Sequence, residues 1–127
     1  MTVSTDINAL TQLLALPARP EAVRFTEGAL GAGADRQIIA AIDFGERIEE
    51  ALSALPEDPR LNGDRGVRPP KWLDPKDFAA VMREQGNLLV IVEGARDATA
   101  FAKGAYSRGF AVRQPGSSIV LAVMQTQ

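Results

Sequence analysis

Two groups of residues have the types and spacing to do chemistry. Glu93 and Asp97 flank a glycine in "LLVIVEGARD", where an apolar run gives way to a polar one. Carboxylates so placed could ligate a divalent cation or move a proton. Arg65, Arg68, Lys71 and Trp72 lie within "RGVRPPKW". Cations beside an aromatic ring can grip a phosphate backbone and stack a base, or the tryptophan can anchor a protein contact. The chemistry is narrowed by what the chain lacks: it contains no cysteine and no histidine. Disulfides, zinc-thiolate sites and Cys nucleophiles are therefore excluded, as is every mechanism with an imidazole base. Any catalysis must run on carboxylates, lysine, tyrosine or backbone amides.

The stretch "LLVIVEGARDATAF" resembles the first motif of the Toprim domain of primases and topoisomerases, in which a strand ends in Glu-Gly and a helix follows. The resemblance covers about thirty residues and implies a magnesium-dependent role for Glu93. That family completes its metal site with an Asp-x-Asp pair on a later strand. In this chain no two acidic residues are spaced i, i+2. The residues taken alone suggest instead that Glu93 leaves a strand into solvent, that Gly94 permits a tight turn, and that Asp97 complements a helix N-terminus.

Two further groups are considered. "VRFTEGALGAGADRQII" could be a strand, a glycine-rich loop and a helix, the order that cradles phosphates. The spacing of Gly28, Gly31 and Gly33 matches neither the dinucleotide fingerprint nor a P-loop, and a flexible connector is expected. Asp43, Glu46, Glu49 and Glu50 would form an acidic, solvated helix face.

The elements that must position these groups are read from periodicity. Ile7, Leu10, Leu13 and Leu14 at helical spacing predict a helix that Pro17 stops. Val23 and Phe25, alternating with Arg24 and Thr26, suggest a short strand. "DRQIIAAIDFGERIEEALSALP" is expected to be one long helix capped by Asp35. Its rival is a strand "QIIAAIDF" followed by a shorter helix from Glu46. Residues 56–73 hold four of the eight prolines and no periodicity, so they form a long Pro-rich loop, a length that is generally functional or mobile. Asp74 as N-cap, Pro75 at the first helical position and Gly86 as terminator predict a helix over 74–85. "LLVIV" predicts a strand covered on both faces, residues 95–108 a helix, and "FAVRQ", Pro115-Gly116 and "SSIVLAVM" a strand, turn and strand.

Together these imply a single compact α+β domain over residues 1–127, with N-terminal helices packed on a small mixed sheet and a C-terminal β-α-β-β unit. The net charge is −2, and after Asp97 only Lys103, Arg108 and Arg113 carry charge. That is too mild for a dedicated nucleic-acid binder. The expected function is a small intracellular, cytoplasmic, non-catalytic module without cofactor, binding a protein partner through Arg65, Arg68, Lys71, Trp72 and a sheet edge. Because "SSIVLAVM" is apolar on both faces, Val120, Ala122 and Met124 are expected at a homo-oligomer interface. The alternatives are a small metal- or nucleotide-binding enzyme domain using Glu93, Asp97 and the 28–33 loop, or weak nucleic-acid binding through residues 60–73.

Overall fold

In the computed structural model, which describes residues 3–29 and 35–126, the chain forms two short helices and eight strands in two antiparallel sheets. Helix α1 (Ile7–Leu13) starts at Asp6, whose carboxylate accepts from the backbone N–H groups of Asn8 and Ala9 at 2.9 and 3.2 Å. Strands β1 (Ala22–Ala29) and β2 (Arg36–Asp43) follow, then α2 (Ile48–Ser53) after a 3₁₀ turn. The short strands β3 (Gly66–Val67), β4 (Met82–Gln85) and β5 (Leu88–Ile91) make a three-stranded sheet in the order β3-β5-β4. Strands β6 (Arg96–Asp97), β7 (Tyr106–Arg113) and β8 (Ile119–Thr126) join β1 and β2 in a five-stranded sheet, β1-β2-β8-β7-β6.

The large sheet is covered on both faces. On one face Ile38, Ala40, Ile42, Val120, Ala122 and Met124 pack against Leu10 and Leu14, against Leu52 of α2, and against Phe101. On the other, Ile39, Leu121, Val123, Phe110 and Val112 meet Leu89 and Ile91 of the small sheet together with Phe78, Val81 and Met82. Each Ile, Leu or Met so buried contributes roughly 1.5–3 kcal/mol relative to exposure. This explains why β2 and β8 read as unbroken apolar runs: a strand between two layers has no polar face.

That geometry also corrects the long helix expected over 35–55. Residues 36–43 form β2, and the rival assignment holds. Gly45 is the reason the chain can turn there. Its φ is +55°, and a Cβ would collide with the Glu21 carboxylate lying over it. The helix expected over 74–85 survives as one 3₁₀ turn, Pro75–Phe78, with Asp74 capping the Lys76 N–H at 2.9 Å. Met82–Gln85 are good helix formers, but they pair with β5 across a two-residue turn whose first central position is Gly86, at φ +64°, the position that hairpin turns of this kind give to glycine.

No helix forms over 95–108. Those residues hold β6, a 3₁₀ turn at Thr99–Phe101 and the start of β7. A helix there would remove β6 and the first three residues of β7 from the sheet. Gly109 lies so close to β8 that a Cβ would overlap the Val123 carbonyl. The expected β-α-β-β unit and its parallel crossover are thus replaced by antiparallel neighbours, though the 106–126 hairpin itself forms, with Ser117 N–H closing its turn on the Gln114 carbonyl at 3.0 Å.

Strand β8 is central, hydrogen-bonded to β2 and β7. Val120, Ala122 and Met124 are each 0% exposed. They therefore cannot form the oligomer interface expected of them: α1, α2 and Phe101 cover their face, and the small sheet covers the opposite one. Each outer strand of the large sheet is bridged at one point. Ser4 exchanges two backbone hydrogen bonds with Phe25 of β1, at 2.8 and 2.9 Å, and Glu57 bridges Arg96 of β6.

Candidate functional site

The small sheet stops short of β1. None of the β1 residues on its side of the large sheet joins the apolar cluster beneath it. The gap is a cleft of about 480 Å³. Its walls come from the start of α1 (Thr5, Ile7), the start of β1 (Glu21 to Arg24), the end of β2 (Ala41, Asp43), the 72–78 segment, and Ser117 and Ile119 before and at the start of β8.

Local sequence explains how Trp72 reaches it. The Leu73 N–H donates to the Pro70 carbonyl at 3.0 Å, so Lys71 and Trp72 occupy the central positions of a turn. Leu73 is buried and Asp74 caps the next turn, which pins the chain that follows the tryptophan. Lys71 points to solvent, and Trp72 is half-buried against the cluster under the small sheet. The Arg24 guanidinium stands 5.9 Å from the Trp72 ring centroid, and its Nη1 donates to the Trp72 carbonyl at 3.3 Å. The indole Nε1 is buried with no acceptor among the described residues. A core tryptophan normally satisfies that donor, and leaving it unmet costs roughly 1–3 kcal/mol.

Four carboxylates line the same cleft: Glu21, Asp43, Asp74 and Asp77. Asp43 Oδ1 accepts from Gly45 N–H at 2.9 Å and from Ser118 Oγ at 2.6 Å. Neither Glu21 nor Asp77 has a side-chain hydrogen bond or ion pair among the described residues.

Arg65 faces elsewhere. It lines a second cleft, of about 410 Å³, with Asp58, Leu61, Asp97 and Arg108. All of the charged groups there except Arg108 are engaged among the described residues. Arg65 pairs with Asp64. Asp58 bonds Arg60 at 3.0 Å, and that bond holds its carboxyl below the usual range. Asp97 Oδ1 accepts from Thr99 N and Oγ1 at 2.8 and 2.5 Å. The structure thus divides the expected basic group: Arg65 and Trp72 line different clefts, and Arg68 and Lys71 are exposed.

Glu93 is exposed in the bend after β5, beside Gly94 at φ +78°. The strand-then-helix order implied by the Toprim resemblance is absent, since a two-residue strand follows. No group of three Asp or Glu is placed to hold a metal ion among the described residues. Gly28 belongs to β1, while Gly31 and Gly33 lie outside the described residues. Asp43 ends β2 and Glu46 begins the turn after it, so the acidic helix face reduces to Glu49 and Glu50 on α2.

One further polar contact is partly buried. The Tyr106 hydroxyl donates to the Glu27 carboxylate. Burial first, and then Glu27, push the tyrosine up to about 12, against an opposing pull from Arg36.

Comparison with known proteins finds no matching family model, no similar curated protein and no similar solved structure. Sequence reasoning reached Trp72 and weighed Asp43 only on an acidic helix face, and it missed Arg24, Glu21 and Asp77 as members of this cleft. The available signal was the alternation around Val23 and Phe25, which sets Arg24 on the opposite face. Nothing in the sequence joins position 24 to a residue 48 places on.

Proposed function

We propose that this chain is a non-catalytic binding module that holds a protein partner in the cleft beside Trp72. The observation that carries the reading is the state of Trp72 itself. It is half-buried, roofed by the Arg24 guanidinium and left with an indole N–H that has no acceptor among the described residues, although Leu73 beside it is buried. A tryptophan kept only for packing would be expected deeper and satisfied, whereas tryptophan and arginine at the mouth of a pocket are the usual anchors of protein contacts. Self-association through Val120, Ala122 and Met124 is no part of this proposal, since those side chains are covered. No helix among the described residues is long and apolar enough to cross a membrane.

Selection from a displayed peptide library tests the reading. Enriched peptides should lose at least about tenfold in affinity to Trp72→Ala, while the variant's urea midpoint moves little. Peptides that bind Trp72→Ala equally well would overturn it, as would a thermal shift with nucleotide or magnesium ions that is lost in Glu93→Gln.

A further inference from the structure

The cleft is lined by residues of opposite character. Ile7, Val23, Phe78 and Ile119 supply apolar surface, while Glu21, Asp43, Asp74 and Asp77 place four carboxylates around it. The one cation on its walls, Arg24, is turned onto the Trp72 ring and carbonyl, and it pairs with no carboxylate among the described residues. The cleft is therefore negative, and Glu21 and Asp77 are free to accept.

We propose that the partner fills this cleft with a lysine or arginine side chain next to an apolar residue. The proposal rests on the binding-module reading above and adds the chemistry of the occupant. Lysine and arginine carry an apolar stem below a charged head. The stem suits the apolar lining, the head suits the carboxylates, and the neighbouring apolar residue suits Ile119 and Trp72. An acidic segment would meet four carboxylates and one engaged guanidinium, and like charges across an interface suppress the wrong partner. A phosphate-bearing ligand is disfavoured in the same way.

Trp72 is the sole tryptophan, so intrinsic fluorescence reports directly on the cleft. The intact protein is titrated with a short capped peptide alternating leucine and lysine, and with matched peptides carrying glutamine or glutamate instead. The lysine peptide should change the fluorescence saturably, bind more weakly as salt rises, and exceed the glutamine peptide in affinity by at least about tenfold. The glutamate peptide should not respond. Glu21→Gln and Asp77→Asn disturb no hydrogen bond, and each should weaken the lysine peptide by roughly two- to fivefold, the range of rim ion pairs, with the unfolding midpoint unchanged.

Absence of a response to the lysine peptide overturns the proposal. Equal binding of the lysine and glutamine peptides, lost in Trp72→Ala, overturns the charge preference and leaves the binding module standing. Calorimetric binding of the lysine peptide that is undiminished in Trp72→Ala removes both. Concentration-dependent dimerisation abolished by Trp72→Ala would make a second copy the occupant and overturn the proposal as well.

Discussion

The two faces of the five-stranded sheet are covered by different materials, and only one cover is complete. On the first face α1, α2 and the Thr99–Phe101 turn close over every strand from β1 to β7 with apolar side chains. On the second, a three-stranded sheet of two- and four-residue strands covers β2, β8 and β7 and leaves β1 beside a cleft. The difference teaches that the missing piece of the second layer is where binding chemistry can sit. On the first face no strand from β1 to β7 lacks an apolar cover. The incomplete face gathers a tryptophan, an arginine and four carboxylates.

The largest effect should come from charging the complete face. Val120→Lys or Ala122→Lys places an ammonium group where no water reaches, and the variant should lose more than about 4 kcal/mol or fail to fold, by far the commonest result of an unpaired buried charge. Circular dichroism checks this. A folded variant that merely changes its sedimentation would show the face to be open after all.

Next in size is Gly45→Ala, at the hinge between β2 and α2 on the cleft's rim. A left-handed φ should cost about 1–2 kcal/mol, read from urea unfolding. The same change in a Glu21→Ala background should cost about as much, because the Glu21 carboxylate, unpaired among the described residues, can swing clear of the added methyl.

A smaller effect is expected at Tyr106, which belongs to the complete face. Its pKa is raised in the folded chain to about 12, against roughly 10 unfolded. The folded state therefore favours the neutral hydroxyl. The stabilisation is whole below pH about 10 and is lost as pH rises toward 12. Tyr106 is the only tyrosine, so tyrosinate absorbance follows it directly, and Tyr106→Phe should flatten the alkaline fall in stability. A native midpoint near 10 would show the hydroxyl to be solvated.

The smallest effect separates the cleft from the discarded catalytic reading. Glu93→Gln should leave stability within about 0.5 kcal/mol and leave peptide binding unchanged, because Glu93 touches neither cleft.

What could be read from the sequence was local. The cap at Asp74, the α1 stripe and the 106–126 hairpin depend on neighbours in the chain, and all three are present, whereas Gly86 turns a hairpin instead of ending a helix. What could not be read was long-range. "QIIAAID" satisfies a helical stripe and a doubly covered strand equally well, and only the two covering layers decide between them. Residues 82–85 have helical propensity, and pairing with 88–91 overrides it. Ala98 and Phe101 mimic a helical stripe, yet they line a 3₁₀ turn beneath α1. The site followed the same division. Trp72 stood out by its type and its Pro-rich setting, while its partners come from β1, β2 and the 74–78 turn and are assembled only by folding.

The account turns on the cleft beside Trp72 being the contact surface, and amide and indole chemical shifts during titration with the leucine–lysine peptide test that most directly. Shifts should concentrate at the Trp72 indole and at residues 5–7, 21–24, 41–43, 72–78 and 117–119, with the surroundings of Arg65 and Arg108 unmoved. Shifts centred on the Arg65 cleft, or on the 83–88 hairpin with the Trp72 indole unmoved, would contradict it.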